Sequence, residues 1–493
     1  MMKRMARPSS LLIRVSCLAA AGWILAVGAV TASADPATPR RPNVVLIVTD
    51  NHGAWSLGCY GNTDVRTPNI DRMAGEGIRF TRCYSSNAVC SPTRATLLTG
   101  LIPSQHGVHD FLRAGGWQIG PNAHSTIEEF RSLPEILAEA GYACGLSGKW
   151  HLGDNMRPQE GFGFWVTKPH GGTSSLYHTP VIEDGQVTKV TGYATEYWTR
   201  RGIEFIEQNK EQPFFLFLAY NGPYGHGARS AQNRHVDHYS QQPMNAFPRE
   251  PVHPWLKMDR QQVGNVDAYR AYAAEVSGID DGVGEILEAI RKNELDDNTL
   301  VIFTADQGFA CGHGGFWGMG WHTAPKTGFD WTMHIPLIWR HPQAIPLGRS
   351  SDILTSNYDL MVTLLSYLGL KDRIAPKPES PGRDFASLVR GEEPGQWDNT
   401  VFYDFLNVRS IRTAEWKYIE RQGEELPREL YDLKNDPGER NNLADQAAHA
   451  QTQQGLCERL HKFFDRYADR KYDLWRGGKS KHQPNFPFPK RVD

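Results

Sequence analysis

Unbroken apolar runs mark the frame of the chain. Residues 43–49 (Asn-Val-Val-Leu-Ile-Val-Thr), 213–220 (Pro-Phe-Phe-Leu-Phe-Leu-Ala-Tyr) and 298–305 (Asn-Thr-Leu-Val-Ile-Phe-Thr-Ala) show no polar alternation. That is the pattern of strands covered on both faces in a parallel sheet. Shorter runs at 78–84, 142–146 and 335–339 predict further strands. Helical spacing lies between them. Ala271, Val276, Ile279, Val283, Ile286, Leu287 and Ile290 recur with a helical period over residues 269–295, Thr67-Pro68 opens a helix, and Ser132 to Gly141 reads as a capped helix closed by glycine. Alternating strands and helices predict an α/β fold: a large mixed, mostly parallel sheet flanked by helices.

After the helix at 358–368 the pattern changes. Residues 371–381 are rich in proline and charge and read as a linker; short strand-like runs follow at 400–403, 410–413 and 417–419, then an amphipathic helix at 456–467. This predicts a smaller C-terminal α+β subdomain with an antiparallel sheet. At the other end, Lys3, Arg4, Arg7 and Arg14 precede an apolar run from Val15 to Val30 and the small-residue triplet Ala32-Ser33-Ala34. That order is a signal peptide, too short in its apolar part for a comfortable membrane span. The expected division is a signal peptide at 1–34, a catalytic domain at 35–380 and the subdomain at 381–493. The mature chain is expected in the periplasm or secreted, with no membrane attachment after cleavage.

Composition narrows the class. The chain has 493 residues, 40% hydrophobic and 22% charged, with 47 glycines and 31 prolines, as a loop-rich globular protein would. A net charge of −2 gives no argument for nucleic acid. Seven irregularly spaced cysteines exclude a disulfide-dense scaffold, and no Cys-x-x-Cys pair points to zinc or iron–sulfur. Cys17 leaves with the signal peptide. If one of the remaining six is reactive, at most two disulfides can form.

Candidate chemistry gathers where strands end, the edge at which open α/β sheets bind ligands. The first strand runs into Asp50-Asn51, and the strand at 298–305 runs into Asp306-Gln307. Together they offer four oxygen ligands, a set that favours a hard cation such as Ca²⁺. The short strand at 142–146 empties into Gly148-Lys149-Trp150-His151, a cation and an imidazole on one loop. Between strand 78–84 and a helix lies Cys90-Ser91-Pro92-Thr93-Arg94. There Ser91 is the expected cap, and the helix start and Arg94 favour a thiolate or a bound anion.

Cys90-x-Pro92-x-Arg94 resembles the signature of the type I, formylglycine-dependent sulfatases of the alkaline phosphatase superfamily, and Gly148-Lys149-x-His151-Leu152-Gly153 resembles a second one. The resemblance implies an arylsulfatase-like hydrolase of sulfate esters. Cys90 is then oxidised to formylglycine by a formylglycine-generating enzyme, and Asp50, Asn51, Cys90, Asp306 and Gln307 surround one Ca²⁺. Lys149 and Lys326 hold sulfate beside the Arg94 loop, the hydrated aldehyde attacks sulfur, His226 protonates the leaving alcohol, and His151 takes the proton that lets sulfate depart.

The chain departs from the family pattern at several places. Thr93 stands where Ser or Ala is usual, Asn51 where Asp is common, and Gln307 where Asn or His is common. Tyr224 occupies the usual place of the acid histidine, His226 being displaced by two residues. Lys326 lies in Ala324-Pro325-Lys326-Thr327-Gly328-Phe329-Asp330, one residue nearer the downstream proline than in the family. The substrate is expected to be a sulfated small molecule or glycan, selected by loops such as 165–177 and 226–255. Two other readings stay open: a phosphonate or phosphate ester hydrolase of the same superfamily, and a non-catalytic binder of sulfated glycans.

Overall fold

The computed structural model describes residues 41–393, 395–423 and 428–482. The expected signal segment at 1–34 lies outside them. Among the described residues the large sheet contains eleven strands: β1 (Asn43–Asp50), β2 (Ile78–Tyr84), β3 (Ala143–Gly148), β4 (Phe164–Thr167), β5 (Pro180–Glu183), β6 (Gln186–Lys189), β7 (Phe214–Pro223), β8 (Thr299–Ala305), β9 (His334–Arg340), β10 (Arg349–Ser351) and β11 (Thr355–Ser356). Their order is β10-β2-β9-β8-β1-β7-β3-β4-β5-β6, with β11 also on β2. The middle of the sheet, β8-β1-β7-β3-β4, is parallel throughout. The expected mixed, mostly parallel sheet is therefore present, and its antiparallel pairs lie toward the two sides.

The apolar runs are central because both of their faces are covered. Every residue of β1, β7 and β8 is buried, and even the polar Asn43 at the start of β1 is tied down, its amide donating to Thr299 Oγ1 at 3.2 Å. Two apolar layers, one on each face, hold the sheet. Val45, Ile47, Leu216 and Phe303 pack with the helices Ala194–Asn209 and Val266–Lys292 on one side. Val44, Leu46, Phe217 and Ile302 pack with the helices Cys90–Thr99 and Asn357–Tyr367 on the other. The expected helix at 132–141 is Leu133–Glu139, closed by the predicted Ser132 cap with Glu135 reaching back. Strand β7 extends past its apolar run to take in Asn221, Gly222 and Pro223, which moves the loop with Tyr224 and His226 to the very edge of the sheet.

A second sheet, β12 (Thr400–Phe405), β13 (Val408–Thr413), β14 (Trp416–Arg421) and β15 (Glu429–Asp432), is antiparallel in sequential order, as expected. The helix Ala450–Tyr467 packs Leu456, Leu460 and Phe464 against Ile411 and Tyr418 of this sheet. Its strands also brace the large sheet: the Tyr403 hydroxyl donates to Thr327 O at 2.9 Å, and the Asp404 amide donates to Ser86 O at 2.9 Å. All six described cysteines are free thiols, so neither of the two disulfides allowed by the sequence is formed. No helix among the described residues is long and apolar enough to cross a membrane.

Candidate active site

The parallel strands deliver charged groups side by side along their carboxyl ends. From β8 through β1, β7 and β3 to β4, the residues at or just past each strand end are Asp306, Asp50, Tyr224, Lys149 and Lys168. Behind this row the helix Cys90–Thr99 begins at Cys90 itself, with Val89 as the extended residue before it and no side-chain cap. Ser91 is thus inside the first turn, not its cap as expected; its hydroxyl instead accepts from Leu112 N at 3.1 Å. The turn before the helix is shaped by Asn87, whose Oδ1 accepts from Val89 N at 2.9 Å and whose amide donates to Asp404 O at 2.7 Å. The small sheet thereby helps to fix the position of Cys90.

Two buried ion pairs frame the centre. Lys149 Nζ donates to Asp50 Oδ2 at 2.5 Å, and Arg94 Nε and Nη2 both donate to Asp306 Oδ2 at 3.0 and 2.8 Å. Arg94 Nη1 donates to the Lys149 carbonyl at 2.5 Å, so this guanidinium is fully used as a strut and does not face a substrate. Each carboxylate therefore spends Oδ2 on a cation; Asp50 Oδ1 is left toward Cys90, and Asp306 Oδ1 accepts from the Gln307 and Asn51 backbone amides at 2.9 and 3.4 Å. Cys90 Sγ lies 3.4 Å from Asp50 Oδ1, and ligand atoms of Asp50, Cys90 and Asp306 all fall within 4.8 Å of one another.

The electrostatics of this pocket call for added positive charge. Burial, reinforced by the negative Asp50, pushes the Asp306 carboxyl up to about 7 despite Arg94 and Lys149. Burial also pushes the Cys90 thiol up to about 12, with Asp50 adding to it. The thiolate expected from a helix start and Arg94 is therefore not what the site favours. Burial outweighs the dipole, and the nearest charges are acidic.

A divalent cation fits the donor set. Gln307 Nε2 lies 3.2 Å from Asp50 Oδ1, 2.6 Å from Asn51 Oδ1 and 3.1 Å from Cys90 Sγ, with a carboxylate oxygen of Asp306 within 4.8 Å of the Asp50 and Cys90 atoms. The amide NH₂ stands where a cation would be surrounded by the same atoms. Half a turn of that amide presents Oε1 instead, and Nε2 then meets the Thr93 hydroxyl, which now donates to Oε1 at 3.3 Å. With that turn the residues supply oxygen donors of the kind a hard cation takes.

Both histidines are neutral bases with one orphaned nitrogen. His151 Nε2 faces the Leu112 carbonyl at 2.9 Å and must carry the proton, while Nδ1 is buried with no partner among the described residues. Burial, with Lys149 next, holds this imidazole well below its usual range. His226 repeats the arrangement with Nε2 donating to Thr173 O at 2.7 Å and Nδ1 unpartnered, its ring stacked on Tyr224 at 4.8 Å. Asn51, His151 and Tyr224 all have positive φ, near 60°, a conformation that costs a non-glycine residue energy and clusters at functional sites.

A cavity of about 420 Å³ opens over the centre, with Asn51, Arg113, Tyr224, His226, Trp321 and His322 in its wall. Of the residues singled out from sequence, Asp50, Asn51, Cys90, Arg94, Lys149, Asp306 and Gln307 meet in one cluster, His151 and His226 flank it, and Lys326 stands apart. Its ammonium donates to the Trp321 carbonyl and lies 4.9 Å over the Trp321 ring, and its charge acts on His322, both residues of the cavity wall. Sequence reasoning missed Lys168, Arg113, Trp321 and His322. Lys168 had one usable signal, a lysine at the end of a strand beside Lys149, but β4 is only four residues long and was not predicted.

Comparison with known proteins agrees with this geometry. The Sulfatase family model matches residues 42–370, and the model described as N-sulphoglucosamine sulphohydrolase, C-terminal, matches 320–466. The chain is similar to the N-acetylgalactosamine-6-sulfatase of Canis lupus familiaris, at 32% identity over 78% of this chain and 73% of the relative. It is also similar to the N-acetylglucosamine-6-O-sulfatase of Bacteroides thetaiotaomicron, at 26% identity over 94% of this chain and 92% of that one. The fold is shared with a solved protein in complex with its substrate D-glucosamine-2-N,6-O-disulfate, with a TM-score of 0.69, 24% identity, and coverage of 88% of this chain and 99% of that one. Family match, relatives and site geometry lead to the same conclusion: this chain belongs to the sulfatase family and is a hydrolase of sulfate esters.

Proposed function

We propose that the protein removes sulfate from sulfated amino sugars of glycans, using a formylglycine made from Cys90 and a Ca²⁺ ion held by Asp50, Asn51, Asp306 and Gln307. The observation that carries this is the division of labour in the two carboxylates: Oδ2 of each is neutralised by Lys149 or Arg94, no cation meets Oδ1 of either among the described residues, and oxygens of both lie within 4.8 Å of the residue 90 side chain. Two acids and two bases cancel, so a divalent ion makes the pocket positive. A sulfate ester carries negative charge that repels a nucleophile, and a positive pocket removes that barrier.

When bound, the ion polarises a sulfate oxygen, and the hydrated aldehyde at position 90 supplies the attacking oxygen in place of a thiol. The rest is done by the chain. Arg94 locks Asp306 and the Lys149 backbone into one unit, which fixes the geometry on which attack depends. The unprotonated Nδ1 of His151 is the base for the proton that must leave residue 90, since its Nε2–H is already committed to Leu112. His226 can act as leaving-group acid only from its imidazolium form, because its Nε2–H is spent on Thr173. Tyr224, Phe111 and Trp321 give the cavity aromatic faces against which a sugar ring can pack. The named activities of the two relatives, both on 6-sulfated amino sugars, support that substrate class. Export ahead of Asp35 and maturation by a formylglycine-generating enzyme belong to the same proposal.

Mass spectrometry of the tryptic peptide containing residue 90, on protein from its native source, tests the nucleophile. We expect the aldehyde; an unmodified thiol in protein that turns over a sulfate ester overturns the mechanism. Cys90→Ala is expected to abolish turnover and leave the melting temperature within a few degrees of wild type.

A further inference from the structure

Strands β3 and β4 run parallel with Gly148 opposite Thr167, so the next residues, Lys149 and Lys168, leave the sheet edge side by side. The backbone around Lys168 is held at both ends of this step: Trp150 N donates to Thr167 Oγ1 at 3.1 Å, and Asn155 Nδ2 donates to the Lys168 carbonyl at 2.7 Å. The two lysines differ in their partners. Lys149 is paired with Asp50, whereas Lys168 has no ion pair or side-chain hydrogen bond among the described residues, although it is only 3% exposed. The charges that act on it are those of Lys149 and Asp50, and it in turn acts on His170 and on His226 of the cavity wall.

A buried ammonium without a counter-charge costs stability, and proteins keep such groups where a ligand completes them. Burial first, then Lys149, pushes the Lys168 ammonium down to about 7, with Asp50 opposing; an anion bound beside it reverses that loss. Asp50 cannot serve as the permanent partner, since its Oδ2 is taken by Lys149 and its Oδ1 faces Cys90.

We propose that Lys168 is a substrate-binding residue whose ammonium holds a non-bridging oxygen of the sulfate group being cleaved. The proposal rests on reading this site as that of a sulfate-ester hydrolase. Register favours the scissile sulfate over a second anionic substituent of the sugar, because a group that reaches Lys149 and residue 90 meets Lys168 on the adjacent strand. Nothing in the family pattern that identified Lys149 and Lys326 includes this position.

The test compares wild type with Lys168→Met, which keeps the length of the side chain and removes its charge. With 4-nitrophenyl sulfate, whose only anionic group is the scissile one, KM and the inhibition constant for inorganic sulfate are expected to rise about tenfold to a hundredfold, the range of a hydrogen bond to a charged group. The variant is expected to melt at or above the wild-type temperature, which a merely structural lysine would not allow. Values of KM and of the sulfate inhibition constant within twofold of wild type overturn the proposal, as does a loss confined to substrates bearing a second sulfate. Calorimetric binding of inorganic sulfate to both proteins reads the same interaction without turnover. If wild type cleaves no sulfate ester, the hydrolase reading fails, and equal sulfate affinity in the two proteins still decides against Lys168.

Discussion

Two buried clusters in this molecule contain the same inventory, two carboxylates and two cations, and they are wired differently. At the junction between the sheets, Lys417 Nζ donates to Asp330 Oδ1 and Glu439 Oε1, each at 2.6 Å, and Arg412 donates to Asp330 Oδ2 at 3.2 Å. Glu439 Oε2 accepts from the Asp330 amide at 2.6 Å. Every carboxylate oxygen there has a strong donor, and the cluster is closed. At the strand edge, Lys149 and Arg94 each bind one oxygen; the opposite oxygen of Asp50 faces a thiol and the Gln307 side-chain amide, and that of Asp306 accepts from two backbone amides. The difference lies in the donors rather than in charge: Asp50 Oδ1 meets only a weak thiol donor and an amide that can turn away. A cluster closed by strong donors holds the fold together; one that rests an acidic oxygen on donors able to turn away, with the cation Lys168 nearby, is suited to completion by something else.

The largest effect expected from breaking this contrast is on the open cluster. Asp306→Asn is expected to lower kcat/KM for an aryl sulfate by about a thousandfold or more, the scale of losing a preorganised electrostatic group. It is also expected to abolish the rise in melting temperature that Ca²⁺ should give wild type if it binds the folded state alone. A Ca²⁺ response surviving in this variant would move the cation elsewhere.

Breaking the closed cluster is expected to act on stability and not on chemistry. Lys417→Met leaves Asp330 and Glu439 buried with one cation between them, a loss of about 3–5 kcal/mol for a broken buried pair. Denaturant unfolding measures it, and the fraction that remains folded is expected to keep the wild-type KM. A change in KM would show that the junction reaches the site through Asp404 and Asn87.

A fifth buried carboxylate has no cation partner among the described residues. Glu275 on the helix Val266–Lys292 is 1% exposed and accepts from Ser230 Oγ at 2.7 Å, and burial pushes it up to about 8. Because its folded value is raised above the ordinary one, its contribution is full below about 4.5 and is lost as the pH rises toward 8. The slope is at most roughly 1.4 kcal/mol per pH unit. Glu275→Gln is expected to flatten the fall in stability between pH 5 and 8, read as melting temperature against pH; an unchanged slope sinks this account.

The sequence disclosed these clusters unequally, for a physical reason. β1, β7 and β8 were legible because strands covered on both faces carry no polar alternation, and their ends announced Asp50, Asp306 and the Tyr224 loop. Cys90, Arg94, Lys149 and His151 were legible because their spacing along the chain is also their spacing in the site. Lys168 was not, since β4 has four residues and its meaning depends on lying beside β3. Trp321 and His322 come from a loop without periodicity, and the position of Lys326 against the Trp321 ring follows from packing that no local pattern encodes. The role of Arg94 as a strut likewise needed Asp306, more than two hundred residues away, to be seen beside it.

The smallest expected effect concerns two departures from the family pattern that prove to touch. Thr93 stands where the family usually has Ser or Ala, and Gln307 where it has Asn or His; the Thr93 hydroxyl lies 3.3 Å from Gln307 Oε1. The same hydroxyl reaches the carbonyls of Val89 and Cys90 at 2.9 and 2.8 Å, so it is held in place from the helix side. The longer Gln side chain has one more rotatable bond to immobilise than Asn, and a fixed hydroxyl at its tip offsets part of that cost. To hold a cation, Gln307 would have to turn its Oε1 inward, and its Nε2 would then meet this hydroxyl, which can accept. Thr93→Val is therefore expected to weaken Ca²⁺ binding by about fivefold, the worth of one neutral hydrogen bond, while Thr93→Ser stays within about twofold. Calcium titrations followed by melting temperature separate the two. Weakening by Ser with Val unchanged would mean that the methyl group, and not the hydroxyl, is what Gln307 requires.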